Sequence, residues 1–164
     1  MPFCLHPRDQ LASRRHAYEG HPWLVGSPWG FAEETAIHAL RLMGCGLFDQ
    51  YPELQIVLGH LGERIPYDLW RLDHRLGKVP GRPAKRTMSE YFRANFHVNT
   101  SGHFCTQSLI HAIFTLGADR VLFAVDYPFE DHAQGAAWFD AVEISESDRI
   151  KIGRSNAAAL FGLG

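Results

Sequence analysis

Four short apolar runs along this chain each stop abruptly at polar residues. Pro2-Phe3-Cys4-Leu5 runs into His6-Pro7, and Ile56-Val57-Leu58 into Gly59-His60. Phe96-His97-Val98-Asn99 alternates and ends at Thr100-Ser101-Gly102, and Val121-Leu122-Phe123-Ala124-Val125 ends at Asp126. Apolar runs of this length, bounded by turn residues, predict buried parallel strands. Between them the period changes to that of helices. A helix is predicted over 31–43, with Ala32, Ala36, Ala39, Leu40 and Met43 on one face and Gly44 and Gly46 behind it. Further helices are predicted over 65–74, around 88–92, over 107–116 (closed by Gly117), and near 132–142, 146–152 and 155–161. Residues 7–30 are rich in Pro, Gly and aromatics and read as one long ordered loop.

Strand and helix alternate four times, the pattern of a parallel α/β fold, here half of an eight-stranded barrel. An open doubly wound sheet is the alternative. No Gly-rich phosphate loop follows any strand, so a nucleotide-binding version of that sheet has no support. No repeat or linker divides the chain, and 1–164 is read as one domain.

Composition narrows the function classes. The chain has 164 residues, 46% hydrophobic and 21% charged, with a formal net charge of −2. That balance gives no electrostatic reason to expect nucleic acid or a membrane surface as partner. No run approaches the ~18 apolar residues a membrane span needs. The amino terminus lacks the basic-then-apolar pattern of a signal peptide. Cys4, Cys45 and Cys105 are odd in number and widely spaced, which argues against a disulfide framework and for a reducing cytoplasm.

Polar residues at the carboxyl ends of barrel strands open into one pocket, so the run-ending residues are the candidates for chemistry. His6, held extended by Pro7, is either a metal ligand or an ordinary loop histidine. His60 lies between Gly59 and Leu61-Gly62, with Glu63 near enough to orient its ring; a plain surface turn is the bland reading. Asp126 follows five apolar residues, a costly place for an unpaired anion. It could instead cap a helix, but Tyr127-Pro128 argues against an immediate helix start. Arg71, Asp73 and His74 either bind an anionic substrate or form a solvated helix face. Thr100-Ser101-Gly102-His103 either lines the pocket or is a hydroxyl-rich turn. No CxxC or HExxH cluster is present, so any metal site must be assembled from distant strand ends.

Several segments, taken in order, closely resemble one family: Leu5-His6-Pro7-Arg8, Gly20-His21-Pro22-Trp23, Trp29-Gly30-Phe31-Ala32, Gly59-His60-Leu61-Gly62-Glu63, Trp70-Arg71-Leu72-Asp73-His74-Arg75, Thr100-Ser101-Gly102, Asp126-Tyr127-Pro128-Phe129-Glu130 and the closing stretch from Arg149 to Ala157. The family is that of the amidohydrolase-related, metal-dependent decarboxylases of dihydroxybenzoates and aminocarboxymuconate semialdehyde. The resemblance implies a (β/α)8 barrel holding one divalent metal, zinc or manganese, that releases CO2 from a small ortho-hydroxy aromatic carboxylic acid. It implies His6 as a metal ligand, and Asp126 as a ligand that also delivers a proton. His60, assisted by Glu63, would orient the reacting group, and Arg71 would hold the substrate. Arg64 departs from the glycine that relatives tend to carry.

Relatives also begin with a strand bearing two further ligands in a Glu-x-His or His-x-His pattern, and none is found here. The expectation is therefore the carboxyl-terminal half of a barrel that binds metal weakly and self-associates, as a homo-oligomer or otherwise. Two alternatives stay open: a hydrolase of the same superfamily using metal-bound hydroxide, and an inactive half-barrel remnant that needs a partner chain.

Overall fold

The computed structural model describes residues 1–163. Strands β1 (Phe3–Leu5), β2 (Ile56–Leu58), β3 (Phe96–Asn99) and β4 (Val121–Leu122) form one parallel sheet in chain order. The register aligns Leu5 with Leu58, Leu58 with Val98, and Val98 with Val121. Side chains alternate across a strand, so these residues share one face. Cys4, Val57 and His97, and with them Asn99 and Leu122, share the other.

The helices are α1 (Gly30–Gly44), α2 (Leu47–Gln50), α3 (Ile65–Leu76), α4 (Met88–Asn95), α5 (Thr106–Leu116), α6 (His132–Ala141), α7 (Glu146–Ile150) and α8 (Asn156–Phe161). Met43, Leu69, Phe92, Leu109 and Phe139, from five of them, join one core with Ile56, Leu58, Phe96, Val98 and Val121. These helices thus cover the same sheet face, the arrangement of a barrel wall rather than of a doubly wound sheet. No helix among the described residues is long and apolar enough to cross a membrane.

The sequence pattern and the structure differ in several places, among them the short helix α2 over Leu47–Gln50, which the pattern does not predict. The loop over 7–30 carries two 3-10 turns, Ala12–Tyr18 and Pro22–Leu24. It is pinned where buried Gln10 donates to the Tyr18 hydroxyl (3.0 Å) and the Gly30 carbonyl (2.8 Å), while Tyr18 donates to Glu33. The fourth strand, predicted over 121–125, ends its ladder at Leu122. Beyond it the Thr100 side chain takes the place of a strand partner, donating to the Ala124 carbonyl (2.8 Å) and accepting from the Ala124 amide (3.0 Å). Finally, a π turn over Lys151–Ser155 joins α7 and α8.

Asp73, a candidate for anion binding by sequence, serves the fold. Its carboxylate accepts from the amides of Met88 (2.7 Å) and Ser89 (3.3 Å), two of the unpaired donors at the start of α4. Thr87 and Glu90 complete that terminus as a reciprocal capping box. Asp73→Ala should therefore lower stability by about 1 kcal/mol, the usual loss for a helix cap. A urea midpoint that does not move would show that Thr87 alone caps the helix.

Candidate active site

Because the strands are parallel, their carboxyl ends share one rim, and the residues that follow them meet there. After β2 the chain makes a turn in which five consecutive residues are left-handed: His60 (φ 49°), Leu61 (53°), Gly62 (85°), Glu63 (52°) and Arg64 (68°). Four of these have side chains and prefer right-handed backbone. The turn is held by burial of Leu61 and Ile65, by the Gly62 amide donating to the Gly59 carbonyl at 2.8 Å, and by the Arg64 guanidinium over the Trp29 ring at 3.7 Å. Gly62 is required there, since a Cβ would stand 2.9 Å from Val98 Cγ1.

The turn folds Glu63 back under His60. Glu63 Oε1 lies 2.8 Å from His60 Nδ1, and Glu63 is 2% exposed. A carboxylate accepts, so Nδ1 carries the proton and Nε2 faces outward. Asp126, left-handed at φ 85°, brings Oδ2 to 3.6 Å from that Nε2. Glu63, His60 and Asp126 thus form a line of two carboxylates about one imidazole. Asp126 does not cap a helix: Asp131 does, accepting from Gln134 at 2.8 Å.

The turn after β3 supports this line. Asn99 accepts from the Ser101 hydroxyl (2.6 Å), and the Ser101 oxygen accepts from the His60 amide (3.4 Å). The Gly102 amide donates to the Val125 carbonyl (3.2 Å), tying the turn to the approach to Asp126. Sequence reasoning reads this segment as either a pocket lining or a hydroxyl-rich turn, and misses its place as the spacer between His60 and Asp126. The available signal was a glycine directly behind a Thr-Ser pair at a strand end.

The other candidates fall elsewhere. His6 is exposed at the rim beyond β1 and donates from Nδ1 to the Pro7 carbonyl (2.9 Å), which leaves Nε2 free. A histidine oriented in this way is prepared to bind a metal. His103 donates from Nδ1 to the His60 carbonyl (3.3 Å), also freeing Nε2. Arg71 is exposed on α3 and lines a groove with Ala36 and Leu40 of α1. No hydrogen bond or ion pair joins it to the His60–Asp126 pair among the described residues. A cleft of about 720 Å³ between α3 and α5 includes His60, Arg64, Tyr67, His103 and His111 but not Asp126 or His6. Among the described residues no three His, Cys, Asp or Glu side chains converge as a metal site.

The hydrogen bond to Glu63 raises the His60 pKa above its ordinary value; burial opposes the shift, and the charges of Glu63 and Asp126 add to it. A raised histidine contributes stability that is fully present below the unfolded value of about 6.5 and is lost as pH rises through the folded value. Glu63→Gln should lower the His60 pKa, followed by NMR titration of the imidazole, and flatten that pH dependence. An unmoved His60 titration would remove Glu63 from the line. At Gly102 (φ 59°) a Cβ would stand 3.1 Å from His60 Cδ2 and 3.2 Å from Asp126 Oδ2. Gly102→Ala should cost about 1 kcal/mol or more in backbone strain and part the His60–Asp126 pair. A variant with wild-type stability and an unchanged His60 titration would show that the spacing does not depend on this glycine.

The chain matches the amidohydrolase family over residues 2–163. It is 58% identical over 166 residues to the gamma-resorcylate decarboxylase of Rhodococcus jostii, an alignment covering 99% of this chain and 50% of that protein. The crystal structure of 2,6-dihydroxybenzoate decarboxylase from Rhizobium superposes with a TM-score of 0.96 at 55% identity, covering 99% of this chain and 51% of that one. A dihydroxybenzoic acid decarboxylase from Polaromonas sp., with bound manganese and the inhibitor 2-nitroresorcinol, gives 0.96 at 55% identity, covering 99% and 50%. The chain spans about half the length of the curated relatives it matches. With a half-barrel sheet, a helix layer on one face and its polar line at the strand ends, the chain belongs to the amidohydrolase family.

Proposed function

We propose that this chain carries the proton-handling side of a metal-dependent, non-oxidative decarboxylase acting on an ortho-hydroxy aromatic acid of the 2,6-dihydroxybenzoate class. The observation that carries the proposal is the Glu63–His60–Asp126 line at the strand ends. Glu63 keeps the His60 ring oriented and favours its protonated form. His60 and Asp126 hold a proton between them and deliver it to the ring carbon that bears the carboxylate. That carbon is electron-rich because the ortho hydroxyl donates into the ring. Protonation breaks its conjugation, the C–CO2 bond then cleaves with its electron pair returning to the ring, and CO2 leaves with hydrogen in its place.

The donor types at the rim, imidazole from His6 and carboxylate from Asp126, suit manganese or zinc. No three such donors converge among the described residues, so the chain by itself does not complete a metal site. No step is therefore drawn through a metal. Arg71, in its groove against α1, is given no step either.

Self-association belongs to the same reading. Tyr67, Trp70 and Phe114 stand 81%, 75% and 90% exposed on α3 and α5. Exposed aromatic surface of this kind favours association. The unpaired cysteines, two of them exposed, suit a reducing cytoplasm.

The test is to purify the chain with manganese, remove the excess, and measure metal per chain, assembly size and CO2 release from 2,6-dihydroxybenzoate. The expected result is little retained metal, an assembly larger than the 18.5 kDa monomer and no turnover. Co-expression with the half of the Rhodococcus jostii decarboxylase that this chain does not span should restore CO2 release. Asp126→Asn or His60→Ala should then cut it by roughly 10²–10⁴. Turnover that survives Asp126→Asn, or hydrolysis of a lactone in place of CO2 release, would overturn the assignment.

A further inference from the structure

A second polar layer lies at the opposite end of the strands. Gln55 immediately precedes β2, His97 sits within β3, and Arg120 immediately precedes β4. The register and the period of two place all three on the sheet face away from the helix core. One guanidinium nitrogen of Arg120 donates to Gln55 Oε1 at 2.8 Å and faces His97 Nε2 at 3.5 Å. The layer thus crosses three strands, and it belongs to neither the His60–Asp126 line nor the cleft beside it.

Its donors and acceptors do not balance. Arginine can only donate, so His97 Nε2 must be the accepting nitrogen and Nδ1 must carry the proton. That Nδ1 is buried without a partner, on a side chain 7% exposed. Burial, with help from the Arg120 charge, pushes the His97 pKa down to about 4, so the ring stays neutral and the layer carries a single positive charge. Arg120 is half-buried, and its remaining N–H groups have no acceptor among the described residues. The neighbouring Asp119 is engaged with Lys151 at 2.8 Å. The layer therefore has a permanent cation, spare donors in a planar fork and no anion.

The geometry points to a carboxylate-binding site formed by Arg120, His97 and Gln55 at the amino-terminal end of the sheet. A carboxylate supplies one negative charge and a planar pair of acceptors that match the guanidinium fork. It comes either from a small free acid or from an acidic side chain of a polypeptide that covers this sheet face.

The test is an NMR titration of the 164-residue chain, following the His97 ring nitrogens and the Arg120 Nε–H at constant ionic strength. The probes are acetate, an end-blocked Thr-Val-Glu-Val-Thr peptide, and inorganic phosphate. Acetate or the peptide should produce a saturable shift at His97 and Arg120 that leaves His60 unmoved. Arg120→Gln should weaken that binding by about tenfold or more, as should Arg120→Lys, which keeps the charge and loses the fork. The lysine variant decides the matter if the glutamine variant does not fold. Peptide binding about tenfold tighter than acetate assigns the carboxylate to a covering polypeptide, and equal binding assigns it to a free acid. No saturation with either carboxylate, a preference for phosphate, or binding unchanged in both variants overturns the proposal.

Discussion

The alternation of side chains between the two faces of a parallel sheet governs this molecule. Leu58, Val98 and Val121 point into the helix layer and join its apolar core, where apolar surface leaves water. Period two then delivers the intervening residues, Cys4, Val57, His97 and Leu122, to the other face with no further choice. Parallel pairing adds that all strands end on the same side. A one-residue slip in β3 would reverse the face of every residue in that strand and turn His97 and Asn99 into the apolar core. The polar residues at the two ends of the sheet are thus organised by the same hydrophobic constraint.

That constraint positions the His60 turn but does not relax it. Left-handed backbone in residues with side chains costs on the order of 1 kcal/mol each, and His60, Leu61, Glu63 and Arg64 all adopt it. The compensation is visible around the turn: Leu61 and Ile65 enter the core, and Trp29 from the long early loop supplies a ring under Arg64. Strain of this kind persists where the surroundings over-determine the backbone. It makes the 7–30 loop a support for the His60 geometry as well as a connection.

Much of the fold was legible because hydrophobic periodicity is a local property. β3 runs from Phe96 to Asn99 as expected, and the helix predicted over 31–43 differs from α1 by one residue at each end. The partners of His60 were legible for related reasons: Glu63 is three residues away, and Asp126 ends an apolar run. Pairings set by tertiary proximity were not. Asp73 reaches the amides of Met88 and Ser89 across a loop whose path no pattern encodes. Thr100 shortens β4 by substituting a side chain for a strand partner, and propensity within 121–125 carries no trace of this. The role of His97 was not read from the pattern either. Its position between Phe96 and Val98 was the signal that it faces away from the core.

The same geometry explains why a metal site here is faint both in sequence and in the local arrangement of donors. His6 follows β1 and Asp126 lies beyond β4, the two edges of the sheet. Neighbouring strands lie about 4.8 Å apart, so three intervals separate these edges by roughly 14 Å along the sheet. Two side chains binding one ion at ~2.1 Å each must bring their donor atoms within about 4 Å of one another. A flat sheet cannot do that with an imidazole and an aspartate, because their side chains are too short to close the gap. A curled sheet can, since curling turns both edges toward a common axis. Any site using His6 and Asp126 is therefore a property of the sheet's curvature and of whatever completes the ring, and its donors need not cluster within this chain. The Glu63–His60–Asp126 line differs in kind: His60 and Glu63 share one turn, and Asp126 reaches His60 over the turn that follows β3. The Glu63–His60–Asp126 geometry is therefore present in the chain itself, whereas any site joining His6 to Asp126 depends on closure.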